Sequence, residues 1–138
     1  MKSHTVELRV CYADTDRMGW VYYGNYLRYF EIGRTEYLRE AGTTYRDLEE
    51  RGVFFAVSEA SCRYLEAARY DDVLRVTTWV ERLRPTRIDF AHLVERKGDG
   101  ARVAEGRVVL ACVNGSGRPV RLPEEVTGAV KVREGAPG

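Results

Sequence analysis

Polar and apolar residues alternate at the start of the chain, where Val6, Leu8 and Val10 are separated by Glu7 and Arg9 and followed by Cys11. A period of two sends successive side chains to opposite faces, so this segment predicts a strand with one buried face. Residues 13–24 break the pattern, with Gly19 and Gly24 as interruptions, and predict a turn region. Over residues 25–41 the period lengthens. Leu27, Phe30, Tyr37, Leu38 and Ala41 recur at helical spacing with Gly33 on the same stripe, while Arg28, Glu31, Thr35 and Arg39 fall largely on other faces. Gly33 costs such a helix about 1 kcal/mol relative to Ala, a cost that close approach to a sheet would offset. Gly42 reads as the residue just past the helix, and residues 44–51 as a short second helix capped by Thr44 and stopped by Gly52.

Beyond Gly52 the period returns to two and predicts four strands, at residues 55–66, 73–84, 86–96 and 102–113. Asp71-Asp72 separates the first from the second, and Pro85 marks a bulge or tight bend between the second and third. Asp99-Gly100 and Asn114-Gly115 are hairpin turn signals. Residues 122–126 read as a short terminal helix or packed coil, and residues 133–138 as a frayed tail. With no repeat and no linker, residues 1–138 read as a single domain. The short connections make the strands antiparallel. The expected fold is therefore α+β, an antiparallel sheet of about five strands wrapped around one long central helix. Its edges and outer face need cover, which predicts a homodimer or homotetramer.

Composition narrows the classes. A chain of 138 residues with 44% hydrophobic and 31% charged residues can bury a core and stay soluble. A formal net charge of +1 argues against nucleic acid as a partner. No apolar run approaches the ~20 residues of a membrane helix, and the first residues lead straight into alternating sequence without a signal peptide. Cys11, Cys62 and Cys112 are an odd number without a CxxC, and read as reduced strand residues of a cytoplasmic protein. His4 and His92 lie far from the cysteines, so no zinc site is expected.

The candidate chemistry sits before the long helix, where Asp14 and Asp16 stand two apart in a turn crowded by Trp20, Tyr22 and Tyr23. Aspartates favour turns for structural reasons, and a DxD cation site lacks further ligands here. The aromatics read equally as core or as the lining of a site. Glu31 is either a second site carboxylate or an exposed partner of Arg28 or Arg34. His92 reads as an ordinary strand histidine. Ser58, Glu59 and Ser61 border a pocket or pack as ordinary strand residues. In residues 82–90, Arg82, Arg84 and Arg87 flank the Pro85 break and read as a solvated strand edge or as phosphate ligands.

The segment DTDRMGWVYYGNYLRYFEIGRTEYLRE, residues 14–40, resembles the hotdog-fold acyl-CoA thioesterases. The branch is that of 4-hydroxybenzoyl-CoA thioesterase and the Tol-Pal-associated bacterial enzymes. The family pattern is met by Asp16, Gly19, Trp20-Val21, Tyr22 and Asn25-Tyr26, and the likeness continues through RYLEAARYDDVLRV at residues 63–76. The resemblance implies hydrolysis of acyl-CoA to free acid and coenzyme A. It places the catalytic carboxylate at Asp16 rather than Asp14, with a backbone N–H near Tyr23 polarising the thioester carbonyl. It makes Trp20, Tyr22 and Asn25 substrate contacts, and Arg84 and Arg87 contacts of the coenzyme A phosphates, often across a subunit interface. It implies neither metal nor cofactor, coenzyme A being part of the substrate. Tyr23 stands where the Tol-Pal-associated branch often carries His, so side-chain acid–base help there is lost.

That assignment is chemically self-consistent. The start of a helix carries unpaired N–H donors and a partial positive potential. One donor on an oxyanion is worth about 2.7–4 kcal/mol. An aspartate, ionised at neutral pH, acts as nucleophile or activates water. A thiolate leaving group needs little protonation, so no catalytic histidine is required. Two rival readings are a non-catalytic acyl-CoA-binding hotdog protein and a hotdog dehydratase or hydratase. The latter needs a histidine paired with a carboxylate, and neither His4 nor His92 lies in such a motif.

Overall fold

The computed structural model describes residues 2–133, so all of the expected tail at 133–138 except Arg133 lies outside it. The strands are β1 (Ser3–Arg9), β2 (Phe54–Tyr64), β3 (Val73–Leu83), β4 (Arg87–Arg96) and β5 (Arg102–Val113). The helices are α1 (Asn25–Glu40), α2 (Tyr45–Glu50) and α3 (Glu124–Thr127). The strands form one sheet in the order β1-β3-β4-β5-β2, every neighbouring pair antiparallel. Its apolar face meets α1. Leu74, Val76, Val80, Phe90 and Leu110 from the sheet and Tyr26, Phe30, Tyr37 and Leu38 from the helix are buried together.

The helix lies close to the sheet because Gly33 has no side chain. A Cβ at that position would run into the Thr78 hydroxyl and stand 2.9 Å from Val76 Cγ1. The buried stripe differs from the expected one at its edges. Tyr26, Tyr29, Phe30, Gly33, Arg34, Tyr37 and Leu38 are buried, whereas Leu27 is 41% exposed. The recurring steps of three and four that start from Tyr26 face the sheet, and Leu27 falls on the flank of the first turn.

Arg34 is the unexpected member, a buried cation beneath the helix. Its Nη1 lies 3.3 Å from His92 Nε2, and His92 Nδ1 lies 3.0 Å from Thr78 Oγ1. A guanidinium only donates, so Nε2 accepts and the imidazole proton sits on Nδ1, which donates to the threonine. The His92 ring stacks on Phe30 at 4.6 Å. Burial and the neighbouring Arg34 charge hold its pKa well below the usual histidine range. His92 is thus a satisfied core histidine.

The turns follow the expected breaks with local differences. Around Pro85 the Arg84 N–H donates to the Arg87 carbonyl at 2.9 Å, closing a tight hairpin. The register irregularity between β3 and β4 falls upstream, between Val80 and Arg82. At Asn114-Gly115 the left-handed residue is Gly117 (φ 81°), and the Asn114 side chain accepts from the Ser116 and Arg118 N–H groups at 3.0 and 3.1 Å. β1 and β2 are the sheet edges, and β2 exposes Val57.

Candidate active site

Between β1 and α1 the chain makes a 3₁₀ turn at Tyr12–Asp14 and then doubles back, with Thr15 bridging Val21. The loop between them is closed by Asp16 N–H to the Trp20 carbonyl at 2.8 Å and Gly19 N–H to the Asp16 carbonyl at 3.0 Å. Gly19 has φ of 81°, a conformation that a residue with a Cβ adopts only under strain. Asp16 Oδ1 accepts from the Met18 N–H at 2.9 Å and from the Trp20 N–H at 3.3 Å. One carboxylate oxygen is therefore pinned by its own turn, while Oδ2 takes none of the turn's hydrogen bonds.

Asp14 has a different environment. Its carboxylate is buried and accepts from Arg28 Nη2 at 2.5 Å, the Tyr29 hydroxyl at 2.8 Å and the Cys11 N–H at 3.4 Å. Its carbonyl accepts from the Tyr22 N–H and from Asn25 Nδ2, both at 2.9 Å. Asp14 thus ties the loop to the first turn of α1 and fixes where Asp16 stands relative to the helix.

α1 begins after Gly24, which provides no side-chain cap. The Asn25 N–H reaches the Tyr22 carbonyl at 2.9 Å and the Tyr26 N–H reaches the Tyr23 carbonyl at 3.3 Å. The N–H groups of Tyr23 and Gly24 take no part in these bonds, leaving donors at the positive end of the helix dipole.

A mainly apolar cleft of about 460 Å³ opens between the Asp16 loop, the start of α1 and the end of β2. Asp16, Trp20, Tyr23 and Tyr26 line one side, and Tyr64, Leu65 and Glu66 the other. Burial pushes the Tyr26 and Tyr64 hydroxyls up to about 12, so both stay protonated donors at neutral pH. A larger hollow of about 550 Å³ lies between the turns at residues 71–73 and 96–99. Its Arg96 is already engaged by Asp99 and Glu66 at 2.8 and 2.6 Å, and it has neither a helix start nor an apolar wall.

The structure thus brings Asp16, Trp20 and Tyr23 to one cleft. It places the other expected site residues elsewhere. The Tyr22 ring lies against Gly24 and 4.7 Å from the Tyr23 ring, outside the cleft lining. The Asn25 side chain is committed to the Asp14 carbonyl. Arg84 is half-buried and donates to Asp89 Oδ1 at 2.6 Å, while Arg87 is exposed. Neither arginine lines the cleft of its own chain. Arg28 pairs with Asp14 and Arg34 points inward, so neither serves as the expected surface partner of Glu31. Sequence alone gives Tyr64 and Leu65 no site role. They fall within the likeness at residues 63–76 and at the end of strand alternation, and neither signal points to a neighbour some forty residues upstream.

Among the described residues, no three His, Cys, Asp or Glu side chains converge as a metal site requires, and no helix is long and apolar enough to cross a membrane. The three cysteines are unpaired.

A five-stranded antiparallel sheet laid on one long helix, with a carboxylate beside the helix start, defines a hotdog-fold protein, and comparison with known proteins agrees. Residues 10–130 match the thioesterase-like superfamily, and the chain belongs to that family. It is 39% identical over 124 residues to the acyl-CoA thioesterase YbgC of Haemophilus influenzae, covering 88% of this chain and 90% of that one. The crystal structure of DHNA-CoA thioesterase from Staphylococcus aureus superposes with a TM-score of 0.89 at 28% identity, covering 94% of this chain and 89% of that one. A 4-hydroxybenzoyl CoA thioesterase complexed with 4-hydroxybenzoyl CoA shares the fold, with a TM-score of 0.86 at 24% identity over 95% of this chain and 100% of that one.

Proposed function

We propose that this protein hydrolyses acyl-CoA thioesters to the free acid and coenzyme A, as the name of its Haemophilus relative states for that protein. The observation that carries the reading is the shared cleft. The pinned carboxylate of Asp16 and the helix-start residue Tyr23 line the same apolar cleft. The acyl group occupies the cleft, with its carbonyl oxygen toward the helix-start N–H groups of Tyr23 and the adjoining Gly24. Asp16 then removes a proton from water as it attacks the carbonyl carbon, or attacks directly to give a mixed anhydride that water hydrolyses. Negative charge on the carbonyl oxygen is stabilised by the N–H at the helix start. The tetrahedral intermediate collapses with cleavage of the C–S bond. The coenzyme A thiolate leaves with the electron pair and needs little protonation, because thiols ionise near pH 8.5. No metal or redox cofactor enters these steps.

The same reading extends to assembly. The exposed edge of β2 pairs with a second copy, giving a homodimer or homotetramer. Arg84 and Arg87 of a neighbouring subunit then supply charge to the coenzyme A phosphates, and the enzyme acts in the cytoplasm. A panel of aliphatic and aromatic acyl-CoA esters, read by free-thiol release, tests the chemistry. Turnover of at least one ester is expected, and none at all would leave the non-catalytic binding protein as the better account. Sedimentation tests the assembly, and a clean monomer at micromolar concentration would overturn it.

A further inference from the structure

The donors at the start of α1 stabilise an oxyanion only if their peptides are held still. The usual restraint is missing, because Gly24 at the N-cap has no side chain to accept from the first turn. A second restraint comes from across the sheet. The Tyr64 hydroxyl donates to the Tyr23 carbonyl at 3.3 Å. Tyr64 is the last residue of β2 and is paired with Ala104 of β5, so the ladder anchors its backbone. Its ring meets Tyr23 edge-on at 6.1 Å and Tyr26 at 5.6 Å, and it lines the cleft that holds Asp16.

We infer that Tyr64 is a positioning residue for thioester hydrolysis, its hydroxyl holding the Tyr23–Gly24 peptide so that the helix-start N–H donors stay aimed at the reacting carbonyl. The inference rests on the thioesterase reading above. The bond acts in two ways. It restrains the plane of the peptide that joins the loop to α1. By drawing on the Tyr23 carbonyl oxygen it also polarises the N–H of the same peptide, which belongs to Gly24, since hydrogen bonds in a chain strengthen one another. Both effects grow with negative charge on the substrate oxygen, and that charge peaks in the transition state. The benefit therefore falls on kcat, whereas a residue that only lines the acyl groove would act on KM.

Tyr64→Phe keeps the ring and removes the donor. In the full chain kcat should fall about three- to tenfold, the range that one hydrogen bond of ordinary net strength commands, with KM for the same acyl-CoA nearly unchanged. A dithioester analogue, with C=S in place of C=O, adds a readout that a merely structural role would not move. Sulfur is a poor acceptor, so the analogue gains less from the donors, and its turnover should drop less in the variant than that of the parent thioester. A raised KM with unchanged kcat would make Tyr64 a groove lining. Equal losses on thioester and dithioester, or a variant that fails to fold, would make the hydroxyl a fold element. Either result overturns the inference. A wild type inert on every acyl-CoA sinks the functional reading itself, whereas an active wild type matched by Tyr64→Phe sinks only the role of Tyr64.

Discussion

Asp14 and Asp16 differ by two positions in sequence and by everything in environment, and paired Asn substitutions should separate them on two axes. Asp14→Asn preserves size but leaves one oxygen where two now accept, and turns an NH₂ group toward Arg28 or Tyr29. The Tyr29 bond, 2.8 Å long and buried, joins a hydroxyl to an ionised acceptor, and losing it costs about 1.5–3 kcal/mol. The Arg28 contact is short, but that guanidinium is 49% exposed and water screens it, so it adds about 1 kcal/mol at most. Asp14→Asn should therefore destabilise the fold by about 2–4 kcal/mol in urea unfolding, with the denaturant slope unchanged. Asp16→Asn keeps a carbonyl oxygen to accept from the Met18 N–H, so stability should stay within about 1 kcal/mol. It loses both nucleophile and base, and kcat for thiol release should fall at least ~10²-fold. Expressed per folded molecule, Asp14→Asn should lose far less activity. A stable but inactive Asp14→Asn, beside an active but unstable Asp16→Asn, would show that the roles are reversed.

Three further perturbations probe the scaffold and the substrate. Gly33→Ala gains helix propensity but drives a Cβ into Thr78 and to 2.9 Å from Val76, so a net loss of about 1–2 kcal/mol is expected in chemical unfolding, and a gain would show that the helix can move off the sheet. His92 stays neutral in the folded state while the unfolded chain takes up a proton near pH 6.5; its stability contribution is full above that pH and is lost as pH falls, at up to about 1.4 kcal/mol per pH unit. His92→Gln should flatten the dependence of unfolding free energy on pH below 6.5, and identical slopes for the two proteins would refute the neutral core imidazole. Arg87→Ala, which removes an exposed side chain, should raise KM for acyl-CoA but not for a truncated thioester lacking the nucleotide, and equal effects on both would remove Arg87 from phosphate recognition.

Much of this architecture can be read from periodicity, because each element buries one face and the faces set the period. The switch from two to 3.6 and back marks α1 among the strands, and Gly33 announces the close packing seen against Val76 and Thr78. The misreadings have physical causes. Leu27, Phe30, Tyr37, Leu38 and Ala41 make a helical stripe that omits Tyr26 and Tyr29, whose hydroxyls let them suit either face, and Leu27 sits on the flank of the first turn. Arg34 carries a charge that suits it to a surface partner such as Glu31, yet a neutral His92 stands opposite it as acceptor. The far wall of the cleft depends on β2 returning beside the start of α1, a contact that no local signal encodes. The two aspartates look alike in sequence because both suit a turn, and only tertiary contacts to Arg28 and Tyr29 distinguish them.

That distinction explains why an acidic pair precedes this helix. A carboxylate is chemically useful when it is oriented but not saturated. Asp14 has both oxygens taken by side chains of α1, so its negative charge is consumed in fastening the loop to the helix. Asp16 is oriented through one oxygen by two N–H groups of its own turn, and only a turn that closes through a left-handed Gly19 provides them in that place. The other oxygen lies outside that turn's bonds, beside an apolar wall that thins out competing water. Each aspartate depends on the other. Without the Asp14 clamp the loop is fastened less firmly to the helix, and without the free oxygen of Asp16 the clamp would position nothing reactive. A chain that kept Asp16 but lost the Asp14 contacts to Arg28 and Tyr29 should therefore unfold more readily, yet per folded molecule it should turn over an acyl thioester far better than Asp16→Asn does.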